Sequence, residues 1–179
     1  MSTTTKTRWA IDLAHSEVGF KVKHMMITNV SGKFVKFDAS IETEEDTFEN
    51  SHIEFTGQVD SLTTGNADRD VHLLSPDFFD AAAYPKIKFV STSIKKIDWN
   101  TFELYGDLSM HGVSKFIKLD VEYSGKMLDP WGNEKLGMTV MAKLNRKDWG
   151  LNWNTALEAG GVLVGDEIRL DIGLQFIKQ

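Results

Sequence analysis

The side chains with the most chemical capacity are few and scattered. Five histidines stand at positions 15, 24, 52, 72 and 111. A zinc or iron site needs three or four converging nitrogen or oxygen ligands. The chain offers neither His-x-His nor His-Glu-x-x-His spacing, so no metal is expected. Asp70, Asp77 and Asp80 crowd one short stretch. Paired carboxylates can move protons, but spacing along an irregular segment does not bring them together, and capping or surface roles suit them better. Arg69 precedes Asp70. Its guanidinium could make paired hydrogen bonds to a polar or phosphorylated head group, or it could serve an ion pair or a helix cap. His24 shares an alternating face with Phe20 and Val22. If that face points inward, His24 is a buried polar group that needs a partner, either a ligand head or a neighbour. His24, Asp70 and His111 could work as acid and base only if at least two of them meet within hydrogen-bond reach. The chain has no cysteine, which excludes disulfides, thiolate metal sites and cysteine nucleophiles. No catalytic residue and no cofactor are assigned, and the leading expectation is a binding protein rather than an enzyme.

The elements that would position these groups are strands. Val18, Phe20, Val22 and His24 alternate with Glu17, Gly19, Lys21 and Lys23. The same period of two runs from Val35 to Ile41, Ile53 to Val59, Phe102 to Met110, Ile117 to Tyr123, Leu136 to Leu144 and Ile168 to Phe176. Such alternation marks half-buried strands and favours antiparallel pairing. Further strands are expected over about residues 8–13 and 87–97, giving eight or nine. Turns are expected at Asp98-Trp99-Asn100, His111-Gly112-Val113 and Asp129-Pro130-Trp131-Gly132-Asn133, the last with proline to fix φ and glycine free to take positive φ. Residues 63–83 break the pattern and carry a helix-start signal at Ser75-Pro76-Asp77, so one or two short helices belong there. Residues 147–161 read as a Trp-, Asn- and Gly-rich loop with at most one helical turn. Its Ala159-Gly160-Gly161 run lacks the strand–loop–helix setting of a phosphate loop and reads as flexible.

A sheet of many long antiparallel strands exposes two edges unless it closes. A closed all-β barrel of about eight strands is therefore expected over residues 8–179, behind a disordered or extended tail at 1–7. Barrels of this size are either filled by side chains or hold a small ligand. The inward rows that would line an interior are Phe20, Val22, Phe37, Phe89, Leu104, Leu108, Leu119, Met138, Val140, Leu170 and Ile172. Strands of ten residues or more would enclose a tube suited to a linear hydrocarbon, whereas a solid barrel would suit an interaction protein. Trp131, Trp149 and Trp153 fall in loops, where they could seal a mouth, line a lipid portal, form a dimer contact or pack outside, and Trp149 and Trp153 could also meet a head group. Net charge is −6 with no basic cluster, against the electrostatic footprint of nucleic-acid binders. The N-terminus lacks the apolar core of a signal peptide and no apolar run is long enough to span a bilayer. The expectation is a cytoplasmic protein without a transmembrane segment.

Asp12-Leu13-Ala14-His15-Ser16 with Val18-Gly19-Phe20 and His24 resembles the opening of the YceI-like family. Gly32 and Phe34, Arg69-Asp70 with Leu73, Phe78-Phe79-Asp80, and Tyr84-Pro85 come next in that family's order. Gly106-Asp107-Leu108 with His111-Gly112-Val113, Arg146-Lys147-Asp148-Trp149-Gly150-Leu151, and Val164-Gly165-Asp166 complete the series. The resemblance covers about residues 9–178. It implies an extended lipocalin-like antiparallel barrel that holds a polyisoprenoid, isoprenoid quinone or fatty-acid-like lipid as carrier or store. It also implies a homodimer. Many relatives carry a secretion signal, which this chain is not expected to have.

Overall fold

A computed structural model describes residues 5–44, 47–155, 157 and 160–179. Met1 to Thr4 of the expected tail, and Ala159 of the Ala-Gly-Gly run, lie outside the described residues. The strands are β1 (Lys6–Ile11), β2 (Glu17–His24), β3 (Thr28–Phe34), β4 (Phe37–Glu44), β5 (Ser51–Gln58) and β6 (Leu62–Thr63). They continue with β7 (Lys86–Lys96), β8 (Thr101–Met110), β9 (Val113–Leu128), β10 (Glu134–Asn145) and β11 (Val164–Lys178). Among the described residues one α-helix, α1 (Ala67–Leu74), interrupts them.

These segments make one antiparallel sheet that closes, because β1 pairs with both β4 and β11. Three staves of the barrel are broken in two. β1 and β2 lie end to end against β11, with Ile11 opposite Phe176 and Glu17 opposite Gly173. β4 and β3 lie end to end against β1 and β2, and β5 and β6 against β4 and β3. The segments therefore form an eight-stave meander barrel in which neighbours in sequence are neighbours in space.

Hydrogen bonds carry the sheet across the breaks. At the first, Asp12 N donates to Gln175 O at 2.8 Å and Gln175 N donates to Ser16 Oγ at 2.9 Å. The second and third sit side by side: Gln58 N donates to Lys36 O at 2.9 Å and Val35 N to Ser61 O at 3.2 Å. This double break corrects the run expected from Val35. The strand bends there, and Val35 faces solvent. The alternation does not predict β3, because its Thr28–Lys33 stretch holds Val30 as its one large apolar residue. β1 begins at Lys6, two residues before Arg8.

The helix-start reading at Ser75 is also corrected. Ser75 is the C-cap of α1, and Pro76 comes after it as a residue that cannot continue the helix. The N-cap is Asn66, whose side chain accepts from Arg69 N at 3.0 Å, and Asp68 and Asp70 in the first turn suit the positive end of the helix dipole.

Candidate functional site

The inward rows build two different interiors. Around Trp9, Ile41, Phe102, Val121, Leu136 and Phe176 the barrel is solid, and each of these is at least 97% shielded from solvent. Phe48 reinforces this half, its ring 4.8 Å from Phe102 and 4.9 Å from Tyr123. The other half encloses a cavity of about 180 Å³. Leu170, Ile172 and Leu174 point inward on β11 yet are only half-buried, because their inner surfaces face this void.

The boundary between the two halves is sharp. On five staves the residue that borders the cavity is paired, two positions along the same face, with one in the solid half. The pairs are Ala39 and Ile41 on β4, Leu104 and Phe102 on β8, Leu119 and Val121 on β9, Met138 and Leu136 on β10, and Leu174 and Phe176 on β11. The expected tube is thus shortened to a half-barrel pocket with a floor.

Two glycines keep the pocket open. Gly32 lies opposite Phe20 across β2 and β3, where an added Cβ would come within 2.4 Å of the Phe20 ring. At Gly106 an added Cβ would come within 2.6 Å of the Phe89 ring and 2.3 Å of Val90 O. Both rings lie against bare backbone of the neighbouring stave instead of crossing the lumen.

The roof is α1 with the segment after it, placing Leu73, Phe78 and Phe79 on the cavity, and Leu151 joins them from the loop after β10. Phe79 meets Phe34 edge-on at 6.3 Å. Among the described lining residues, Arg146 alone has a polar side chain. It is 98% shielded. Its Nε donates to Gly165 O at 2.9 Å, Nη1 to Leu151 O at 2.5 Å and Trp153 O at 3.0 Å, and Nη2 to Val164 O at 3.3 Å. Burial pushes the guanidinium below its ordinary pKa, and Asp166, 3.8 Å away, opposes that. With its donors spent on four carbonyls, Arg146 fastens the loop that helps cover the pocket.

Of the expected lining residues, Phe20, Val22, Phe89, Leu104 and Leu108 border the cavity, as do Leu119, Met138, Val140, Leu170 and Ile172. Phe37 does not. It sits just past the bend and rests on Phe55, 6.1 Å between ring centres, and Phe55 is the ring that borders the void. His24 does not border it either. It is the last residue of β2, level with Val164 at the rim, and partly exposed. Arg69 and Asp70 have structural partners. Asp70 Oδ1 accepts from Thr64 N at 2.9 Å and from the Thr64 hydroxyl, while Arg69 donates to Thr64 Oγ1 at 2.7 Å and Thr64 O at 2.8 Å. The two residues tie α1 to the end of β6.

Trp149 is buried and does not border the cavity, its Nε1 donating to Leu108 O at 2.9 Å. Trp153 lies against His72 and Phe78, with centroids 4.6 and 5.2 Å apart, and so clasps the loop to the roof. Trp131 is exposed at the β9–β10 turn. His111 Nδ1 is 2.9 Å from Trp149 O, and its ring meets Tyr84. Among the described residues no hydrogen bond joins any two of His24, Asp70 and His111. Asp77 pairs with His72 instead of with the other carboxylates. Arg146 is the functional residue to which the sequence alone assigns no role. Its signal is parity, since it continues the even-numbered inward row of Leu136, Met138, Val140, Ala142 and Leu144.

Residues 9–176 match the model of the YceI-like domain. The chain belongs to the YceI-like family. A UPF0312 protein of Staphylococcus aureus strain MSSA476 is 34% identical over 171 residues, covering 95% of this YceI-like chain and 97% of its own. The Campylobacter jejuni YCEI protein superposes with a TM-score of 0.76 at 33% identity, covering 100% of this chain and 99% of that one. Two more distant structures share the fold. Burkholderia cenocepacia BcnA has a TM-score of 0.79 at 23% identity, covering 92% and 98% of the two chains. A polyisoprenoid binding domain from Saccharophagus degradans, implicated in plant cell wall breakdown, has 0.67 at 14%, covering 96% and 98%. No described helix of this YceI-like chain is long and apolar enough to cross a membrane.

Proposed function

We propose that this protein binds an extended apolar chain in the hollow half of its barrel, as a carrier or store. The observation that carries the reading is a cavity of about 180 Å³ whose described lining is apolar except for Arg146. That one cation is already occupied by carbonyls of its own chain. A site without free polar side chains among its described residues selects by hydrophobicity and shape. Each methylene taken from water contributes about 0.8 kcal/mol, so ten buried methylenes give a gross ~8 kcal/mol, near the micromolar range before ordering costs. The description of the Saccharophagus degradans domain as polyisoprenoid binding supports the same ligand class. Asp70 and His111 bond Thr64 and Trp149 O and not one another, which favours binding over lipid chemistry. A homodimer, implied by the family resemblance, belongs to the same proposal and is checked by size-exclusion chromatography with light scattering.

The test is extraction of natively purified protein with organic solvent, followed by mass spectrometry, alongside titration with a fluorescent apolar probe. A stoichiometric apolar species, or saturable probe binding abolished by filling the lumen with Val140→Trp, is the expected result. Neither co-purified apolar material nor any saturable binding would remove the proposal.

A further inference from the structure

We infer that the solid half of the barrel is a chain-length ruler, so that the protein takes single-tailed amphiphiles tail first, up to a defined length. This rests on the apolar-binding reading and adds to it which tails fit.

The argument starts from the floor. Ala39 and Met138 border the cavity, and two residues further along the same faces Ile41 and Leu136 do not. Trp9, Ile41 and Phe176 close the lumen behind them with at most 1% of their surface exposed. Close-packed interiors do not yield a channel to a flexible chain without losing their own contacts. A tail therefore has one way in, from the α1 end, and its terminal methyl stops at the floor. Among the described residues the walls offer no free polar side chain to hold a head deep inside, so the head remains under the roof or in solvent.

The depth sets the length. The cavity borders β8 from Leu104 to Met110 and β11 from Val164 to Leu174. At ~3.3 Å per residue and a tilt of roughly 40°, these spans give about 15 to 25 Å along the axis. An extended alkyl chain advances ~1.25 Å per carbon, from a 1.52 Å bond at a near-tetrahedral angle. The depth therefore admits a tail of at most about twelve to twenty carbons, and the volume of about 180 Å³ holds fewer than that unless the walls move apart. Affinity rises about fourfold per methylene while the tail is filling the pocket, and stops rising once the methyl meets the floor.

Two substitutions move the floor in opposite directions. Ala39→Leu fills void space next to the plug and shortens the accepted chain by about two to three carbons. Phe176→Ala deepens the pocket and lengthens it, at a stability cost of the kind that large-to-small core changes carry. Ala39→Leu adds atoms to empty space, so it stays informative even if Phe176→Ala does not fold.

The experiment measures displacement of a fluorescent apolar dye from the full chain by straight-chain saturated fatty acids of about eight to twenty-four carbons. All are kept below their micelle concentrations, and each variant is checked by thermal melting. The expected result is a break in the slope of affinity against length no later than about twelve to twenty carbons, moved to shorter chains in Ala39→Leu. Affinity that climbs without a break, or a break unmoved in Ala39→Leu, overturns the ruler while leaving apolar binding in place. Failure of every acid to displace the dye, with no saturable dye binding either, overturns the binding reading and the ruler together.

Discussion

Replacing Arg146 with methionine strips hydrogen bonds from the carbonyls of Leu151, Trp153, Val164 and Gly165 at once. Unmade bonds to buried polar groups cost about 1–3 kcal/mol each before relaxation and water entry soften the sum. A loss of roughly 3 kcal/mol or more is expected for Arg146→Met. Arg146→Lys should recover little of it, because an ammonium cannot reproduce the planar fork. Urea unfolding checks the size of the loss, and hydrogen exchange localises it to the loop between β10 and β11. Asp12 offers a pH-dependent counterpart. Burial pushes its carboxyl up, but hydrogen bonds from His15 and from Lys135, 3.1 Å away, outweigh this and hold it below the ordinary carboxylate range. A lowered folded pKa favours the charged form, so its stabilisation is fully present above the unfolded value near ~3.9 and drains as pH falls through the folded one. Asp12→Asn is therefore expected to lower the urea midpoint at neutral pH. The gap to the wild type should close as pH falls below about 3.9 towards 2.

At the scale of elements, two local conformations carry testable consequences. Gly32→Ala places a methyl where the Phe20 ring now lies. The ring must then swing into the lumen, so probe binding should weaken by tenfold or more, while far-ultraviolet circular dichroism stays that of the barrel. The β2–β3 turn is the second. Met25 and Met26 take φ of 54° and 62°, the left-handed region that two-residue turns usually give to Asn-Gly. Replacing Met25→Asn together with Met26→Gly should relieve roughly 1–2 kcal/mol of backbone strain and raise the melting temperature. An unchanged or lower melting temperature would show that the methionines stabilise the turn through contacts. Alternation reveals most staves and ten of the lining residues, because parity on a strand is fixed by the backbone. The parity of Arg146 is equally readable, but a charged residue after an apolar row looks like the end of the strand. The breaks at residues 12–16, 35–36 and 59–61 are hidden in the sequence, since the groups that pair across them come from distant parts of the chain.

The same limit applies to the whole molecule. Hollow and solid halves use similar residues: Phe20, Phe55 and Phe89 border the void, while Phe48, Phe102 and Phe176 fill the core. What separates them is where glycine faces aromatic rings across neighbouring staves, and that depends on register. Because the filled half already buries Trp9, Ile41, Val121 and Phe176, the barrel has a nucleus of stability that no cargo needs to complete. Slowest amide exchange is expected around β1, the end of β11 and the start of β10, with or without bound ligand. Faster exchange is expected around α1 and the loop held by Arg146. A vessel built this way keeps its shape when emptied, so loading and unloading need loosen only the lid and never the base.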